Sequence, residues 1–212
     1  MAAIVGENML RLIMLLTVLS SCSPSAWADP WCGPRPEEVL RFKWFPEGGV
    51  ESQVGSVQVE DIKSGKILQV LEHVENYRAD SESLSSRDLN NDGCGDLVVT
   101  SAMAAIGNES SSVFLYDRAS RRFVFSKVLS DIGGIDIDPG NPNCVTSSWK
   151  GGAENMYAAT HCWRKGKLVL QSESSLTMLV DEDGNFSCYE QINTTYVNGR
   201  KKIRKRCTKS ID

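Results

Sequence analysis

The chain has 212 residues, of which 41% are hydrophobic and 24% are charged, and its formal net charge is −4. These values are typical of a globular protein and exclude a disordered chain, a collagen and a multi-pass membrane protein. The charge is uneven, because residues 29–199 carry 15 basic and 25 acidic side chains, whereas residues 200–212 carry seven basic side chains and one acidic. An acidic body does not suit nucleic-acid binding, and a sequence with only two histidines does not favour an enzyme.

The first 28 residues are typical of an export signal. A basic residue precedes an apolar run over residues 12–19, which is too short to span a bilayer because a spanning helix needs about 20 apolar residues. Residues 19–22 resemble a bacterial lipobox, in which Cys22 becomes the lipidated first residue, while an Ala-x-Ala site places ordinary cleavage after Ala28. Both alternatives predict export to the periplasm, and the lipobox adds an anchor in the outer membrane.

The rest of the chain predicts an all-β fold. Residues 29–53 form an N-terminal segment, in which we expect a short helix around residues 37–42. Residues 54–199 contain short β-rich segments broken by turn residues, and Asn198–Gly199 is a strong hairpin signal because both turn positions need positive φ. We therefore expect disulfide-bonded antiparallel hairpins in a β-propeller-like or sandwich arrangement.

A weak internal repeat relates two segments of this β region. Residues 57–68 (VQVEDIKSGKIL) align with residues 113–124 (VFLYDRASRRFV), and both contain an apolar strand, an aspartate, a turn and a second strand. Asp61 and Asp117 take equivalent places, where an aspartate accepts hydrogen bonds from backbone N–H groups of the turn. The spacing predicts two similar hairpins.

Residues 88–97, DLNNDGCGDL, have the pattern of a calcium-binding loop. Ca²⁺ takes six to eight oxygen ligands, and a glycine at the sixth position permits the sharp turn that brings alternate side chains together. Val99 stands where an EF-hand has its bidentate glutamate, and a strand follows the loop, so the loop is predicted without the EF-hand helices. The alternative is a metal-free turn rich in Asp and Asn. The predicted ligands are Asp88, Asn90, Asp92, the backbone carbonyl of Cys94, and Asp96.

The cysteines agree with export. Setting Cys22 aside leaves six, which predicts three disulfides among 15 possible connectivities. Symmetry about the predicted hairpin turns favours two of the pairs, and the remaining pair then follows, although other connectivities stay open. The favoured pairs are Cys144 with Cys162, Cys188 with Cys207, and Cys32 with Cys94.

The C-terminal stretch over residues 200–212 is strongly basic. A polybasic stretch is able to contact anionic lipid headgroups, which would suit a lipoprotein. The alternative is an edge strand whose charges prevent edge-to-edge aggregation.

The calcium loop, the Gly/Ser-containing loop over residues 101–112 and the hairpin VFLYDRASRRF over residues 113–123 together resemble a known family. It consists of small periplasmic bacterial proteins related to FG-GAP and VCBS repeats, and the resemblance covers about residues 84–165. It implies a calcium-loaded, β-sheet or propeller-like fold. It also carries over the metal ligands Asp88, Asn90, Asp92 and Asp96.

The resemblance further implies a function. Family members in Xanthomonas-type bacteria are periplasmic lipoproteins that act as immunity proteins and inhibit peptidoglycan hydrolases delivered by type IV secretion. We therefore expect a calcium-binding inhibitor, not an enzyme, that occupies the active site of a lysozyme-like effector. The expected contact surface lies beside the ion, at Ala105, Ile106, Gly107 and Asn108.

A second function is a calcium-dependent module that binds carbohydrate or cell wall without inhibiting an enzyme. VCBS-like domains often belong to adhesins, and exposed aromatic rings are able to stack on sugars. Core packing is the alternative role for these rings. The candidate aromatic residues are Trp149, Tyr157 and Trp163.

Overall fold

The computed structural model describes residues 29–210, except residues 34–35, 153–154 and 198. The predicted export signal, including the lipidation candidate Cys22, lies outside the described residues. The described chain is built from antiparallel strands in three sheets. No helix among the described residues is long and apolar enough to cross a membrane.

The first two sheets are small meanders in which strands adjacent in sequence pair with each other. The first sheet follows a 3-10 turn at Pro30–Cys32 and a second at Pro36–Glu38. Its strands are β1 (Leu40–Pro46), β2 (Val54–Asp61) and β3 (Ile67–Glu75). The second sheet contains β4 (Leu84–Arg87), β5 (Asp96–Met103), β6 (Glu109–Asp117) and β7 (Arg122–Phe125).

The third sheet has six strands and follows the one-turn helix α1 (Lys127–Ser130). Every neighbouring pair is antiparallel, so this sheet is also a meander. Its last three strands are long and end at the edge strand, β13. The strands are β8 (Asp136–Ile137), β9 (Cys144–Lys150), β10 (Asn155–Arg164), β11 (Lys167–Val180), β12 (Phe186–Val197) and β13 (Arg200–Thr208).

The second sheet is the central layer, because strand β5 is buried on both faces. Successive side chains of a strand point to opposite faces. Leu97 and Val99 therefore join one apolar cluster with the first sheet, while Val98 joins another with the third sheet and α1. An aromatic group fills the first cluster, in which neighbouring rings meet mostly edge to face. Its members are Trp31, Phe42, Tyr116 and Phe123.

The two segments of the internal repeat form equivalent hairpins, β2–β3 and β6–β7. In the first turn, Asp61 accepts hydrogen bonds from the backbone N–H and hydroxyl of Ser64. In the second turn, Asp117 accepts the same two bonds from Ser120. These bonds lower the pKa of both aspartates, because they favour the ionised carboxylate. The repeat is therefore a structural one, carried by the turns.

The described residues contain three disulfides, two of which join the pairs that hairpin symmetry favoured, while the third joins the pair that was left over. Two of them connect neighbouring strands of the third sheet, β9 with β10 and β12 with β13. The remaining one ties the first 3-10 turn to the predicted calcium loop, across 62 residues of sequence. The pairs are Cys144–Cys162, Cys188–Cys207 and Cys32–Cys94.

The expectation of a helix around residues 37–42 was wrong for most of that range. The helical turn ends at Glu38, and β1 begins at Leu40 and pairs with β2 over its whole length. Pairing buries Leu40 and Trp44 in the first cluster, which a short isolated helix would not achieve. The all-β prediction is confirmed, while the described sheets stay open and form neither a closed barrel nor a closed propeller.

Candidate calcium loop and partner surface

The predicted calcium loop connects β4 to β5 and is organised by its own acidic and amide side chains. Asp88 accepts hydrogen bonds from the backbone N–H groups of Asp92 and Gly93, at 3.0 and 2.8 Å. Asn90 Oδ1 accepts from Asp92 N at 3.0 Å. Asp92 Oδ1 accepts from Cys94 N at 2.8 Å. Because Gly93 has φ +83°, the chain turns sharply here, and the three side chains share the inside of the turn.

Asp96 has a different place from the other predicted ligands. Its carboxylate is fully buried and accepts the backbone N–H of Leu89 at 2.9 Å and that of Tyr116 at 3.0 Å. Burial raises the pKa of Asp96 to about 7, against the opposing effect of these two hydrogen bonds. Asp96, at the end of the loop, therefore links Leu89 at the start of the loop to Tyr116 of β6.

The loop is also held from outside by Trp31, Trp163 and Arg118. Trp31 Nε1 donates to the carbonyl of Gly95 at 2.7 Å, and Trp163 Nε1 donates to that of Leu89 at 2.8 Å. The guanidinium of Arg118 donates to the Asp92 carbonyl and contacts the Cys94 sulfur. Arg118 was not predicted as part of the loop, although it directly follows Asp117, the repeated aspartate of the β6–β7 hairpin, and this place was a usable signal.

The donor chemistry of the loop fits a hard cation. Asp88, Asn90, Asp92 and the carbonyl of Cys94 offer oxygen ligands, and a carboxylate oxygen that accepts one hydrogen bond keeps a further lone pair. Within the described part of the chain, no group of three or more His, Cys, Asp and Glu side chains is placed to hold a metal ion. The hydrogen bonds given above also satisfy a metal-free turn, so calcium binding stays a prediction.

The predicted contact loop is the tip between β5 and β6. Ile106 at the tip is exposed, as is the preceding Met103 at the end of β5. Asn108, however, is buried, and its amide pairs with the backbone of Lys150 in β9 through two hydrogen bonds of 2.7 Å. Asn108 therefore positions the loop against the third sheet. Ala105 and Gly107 complete the tip, where the Gly107 N–H donates to the Ala104 carbonyl.

Two of the three candidate aromatic residues lie beside this loop on the third sheet. Trp149 directly precedes Lys150 along β9, and it faces Tyr157 of β10 in the strand register. Both are exposed, by 43% and 50%. They line one wall of a cavity of about 360 Å³ whose other side includes Ile192 and Ile203. Trp163, in contrast, packs against the second apolar cluster, as the core-packing alternative predicted.

Comparisons with known proteins identify a shared fold. No family model matches the chain, and no curated protein matches it. A solved structure, described as that of a Xanthomonas type IV secretion system related protein, is similar, with a TM-score of 0.53 and 22% sequence identity. The similarity covers 73% of this chain and 79% of that chain. The two chains share a fold, and the relation to type IV secretion belongs to that protein.

Proposed function

We propose that the protein is a periplasmic inhibitor that binds a peptidoglycan hydrolase and blocks its active site. The observation that carries the proposal is the exposure of four side chains, Met103, Ile106, Trp149 and Tyr157, which are called the apolar surface below. Met103 is the last residue of β5, and Ile106 belongs to the β5–β6 connection. The Asn108–Lys150 hydrogen bonds hold this connection beside β9, the strand that carries Trp149.

The composition of the apolar surface supports a protein partner. Tyr, Trp and Met are enriched at protein interfaces, and Trp and Tyr supply many of the residues that dominate binding energy. Trp149 has little freedom to move, because its ring packs on Gly133, where an added Cβ would lie 2.7 Å from the ring. A surface that is ordered before binding loses less entropy when the partner arrives.

The charge of the molecule supports the same partner class. Residues 29–199 carry ten more acidic than basic side chains (25 against 15). Many lytic hydrolases are basic, and opposite net charge accelerates association. The shared fold with a type IV secretion system related protein agrees with the family resemblance found in the sequence.

The test is capture followed by inhibition. Residues 29–212 would be used as bait in a lysate of the producing strain, and each captured hydrolase would be purified and assayed on peptidoglycan. We expect one hydrolase to lose activity at stoichiometric inhibitor. Trp149→Ala should weaken inhibition by roughly 30-fold, the effect of losing a dominant interface residue. Phe45→Ala, which truncates an exposed aromatic residue of the first sheet, should leave inhibition unchanged.

Two results would contradict this proposal. Equal inhibition by the wild type and Trp149→Ala would exclude the apolar surface as the contact site. Retention of glycan fragments without any hydrolase would favour the second function, a carbohydrate-binding module. That function is supported by the same pair, Trp149 and Tyr157, because exposed neighbouring rings are suited to stacking on sugars.

We also propose that residues 88–97 bind Ca²⁺ through Asp88, Asn90, Asp92 and the carbonyl of Cys94. A bound cation would offset the repulsion between the carboxylates of Asp88 and Asp92 and stiffen the turn that precedes β5. Calcium titration by calorimetry should give one site. Calcium at about 100 times its Kd should stabilise the fold by about 2.7 kcal/mol.

The matched variants for calcium binding are aspartate-to-asparagine changes. Asp88→Asn with Asp92→Asn should abolish both the heat of binding and the thermal stabilisation. Asp181→Asn removes a charge from another turn, where its Oδ1 accepts the N–H groups of Asp183 and Asn185, and should change neither. Absence of calcium-dependent stabilisation in the wild type would refute the site.

The proposed location is the periplasm, with Cys22 as the lipid attachment point if the lipobox is used. Mass spectrometry of the mature N-terminus separates the two alternatives. A diacylglycerol-modified Cys22 indicates the anchored lipoprotein, whereas an unmodified Asp29 indicates the ordinary signal peptide.

A further inference from the structure

The basic C-terminal stretch forms β13, the free edge of the third sheet. Alternate side chains of a strand point to opposite faces, so its cations are divided between two faces. Lys201 and Lys205 lie on one face. Arg200, at the first position of the strand, lies on the other together with Lys202, Arg204 and Arg206, and these last three are called the basic face below. All six cations are exposed.

The cations opposite the basic face are neutralised within the sheet. Lys201 Nζ lies 3.6 Å from a carboxylate oxygen of Glu173 in β11. Lys205 Nζ lies 2.6 Å from a carboxylate oxygen of Glu190 in β12. Opposite charges on neighbouring strands are the usual way in which a sheet compensates such residues.

The basic face has no such compensation among the described residues. The β12 neighbours of Lys202, Arg204 and Arg206 are Thr195, Asn193 and Gln191, all of them neutral. In β11, the residues that pair with those three β12 residues are also neutral. They are Ser172, Ser174 and Leu176. Arg206 Nε donates to Gln191 Oε1, and none of the three cations has an ion pair with a described residue.

We propose that the basic face binds the anionic headgroups of a phospholipid bilayer. Three cations at alternate positions form a straight row about 14 Å long, which is able to contact a planar surface all at once. Arginine binds phosphate oxygens through paired hydrogen bonds. The acidic body, with 25 acidic against 15 basic residues, would be repelled by the same surface. The molecule would therefore lie with β13 toward the bilayer.

Protection of the edge strand does not account for the charge distribution. Charges on either face prevent edge-to-edge pairing equally well. If the cations of β13 served only to prevent edge-to-edge pairing, there would be no reason for Glu173 and Glu190 to neutralise Lys201 and Lys205 while the basic face stays unpaired. The difference between the faces of β13 is what assigns a partner to the basic face.

The test is co-sedimentation of residues 29–212 with vesicles, which removes the predicted lipid anchor from the measurement. This part of the chain contains both apolar clusters and all three disulfides. We expect binding to vesicles that contain phosphatidylglycerol, weakened by added salt, and no binding to pure phosphatidylcholine. Arg204→Gln with Arg206→Gln should lower the partition coefficient roughly 30-fold, because each basic residue near the surface contributes about fivefold.

The matched control is Lys201→Gln with Lys205→Gln, which removes the same net charge from the neutralised face. It should lower the partition coefficient less than threefold, and circular dichroism should show that both double variants are folded. Equal weakening by the two double variants would overturn the assignment to the basic face, since net charge alone would then explain binding. Failure to sediment with phosphatidylglycerol, or equal binding to phosphatidylcholine, would overturn the proposal itself. None of these results depends on a hydrolase.

Discussion

Single polar side chains join separate sheets by pairing with backbone groups. The amide of Gln69 in β3 donates to the Phe123 carbonyl and accepts the Phe123 N–H, at 2.9 and 2.8 Å. Asn108 makes the same two-bond pairing with Lys150. Gln69 and Asn108 therefore replace the strand pairing that is missing between sheets, whereas buried Asp96 accepts two backbone N–H groups within the second sheet and its loop.

Asn108→Ala should therefore destabilise the protein, although Asn108 stands in a loop that was predicted to contact a partner. The substitution removes both hydrogen bonds between the Asn108 amide and the backbone of Lys150, which is itself an exposed residue, and each such bond contributes about 0.5–1.5 kcal/mol. We expect the free energy of unfolding in urea to fall by about 1–3 kcal/mol. Ile106→Ala, at the exposed tip of the same loop, should change it by less than about 0.5 kcal/mol. Equal stability of both variants would show that Asn108 does not hold the loop.

At the scale of strands and turns, most of the fold followed from local pattern. Alternating apolar residues and turn signals predicted antiparallel hairpins, and equal spacing about a turn predicted which cysteines face each other. β1 was missed, because the strand is stabilised by pairing with β2 and by burial of Trp44, and neither is visible in residues 37–46 alone. The assembly into three open sheets was also beyond local pattern, since it depends on contacts between sheets.

The candidate site, like the fold, was predictable only where it depends on residues close together in sequence. The loop over residues 88–97 was visible because its side chains act within a few residues of each other. Trp149 and Trp163 could not be distinguished in the sequence. In the structure, Trp149 is exposed while Trp163 packs in a cluster with Val145, because they lie on different parts of the same sheet. Burial of an aromatic residue is decided by the neighbouring layers.

For the whole molecule, the apolar clusters cover the sheets unevenly. β5 is buried on both faces, whereas β11 is only partly buried along most of its length and β13 is almost wholly exposed. Local opening requires less free energy where few apolar contacts are lost. The outer strands of the third sheet should therefore open independently of the central layer.

Native-state hydrogen exchange would test this prediction by comparing β5 with β12. Both are interior strands with a hydrogen-bonded neighbour on each side, so their difference reports packing and not strand pairing. We expect amides of Val98 and Val99 to exchange only on global unfolding. Amides of Ile192 and Asn193 should exchange at least about tenfold faster, which corresponds to about 1.4 kcal/mol less opening free energy. Equal protection of the two strands would mean that the third sheet unfolds only with the central layer, and that its exposed faces are stabilised without an apolar cover.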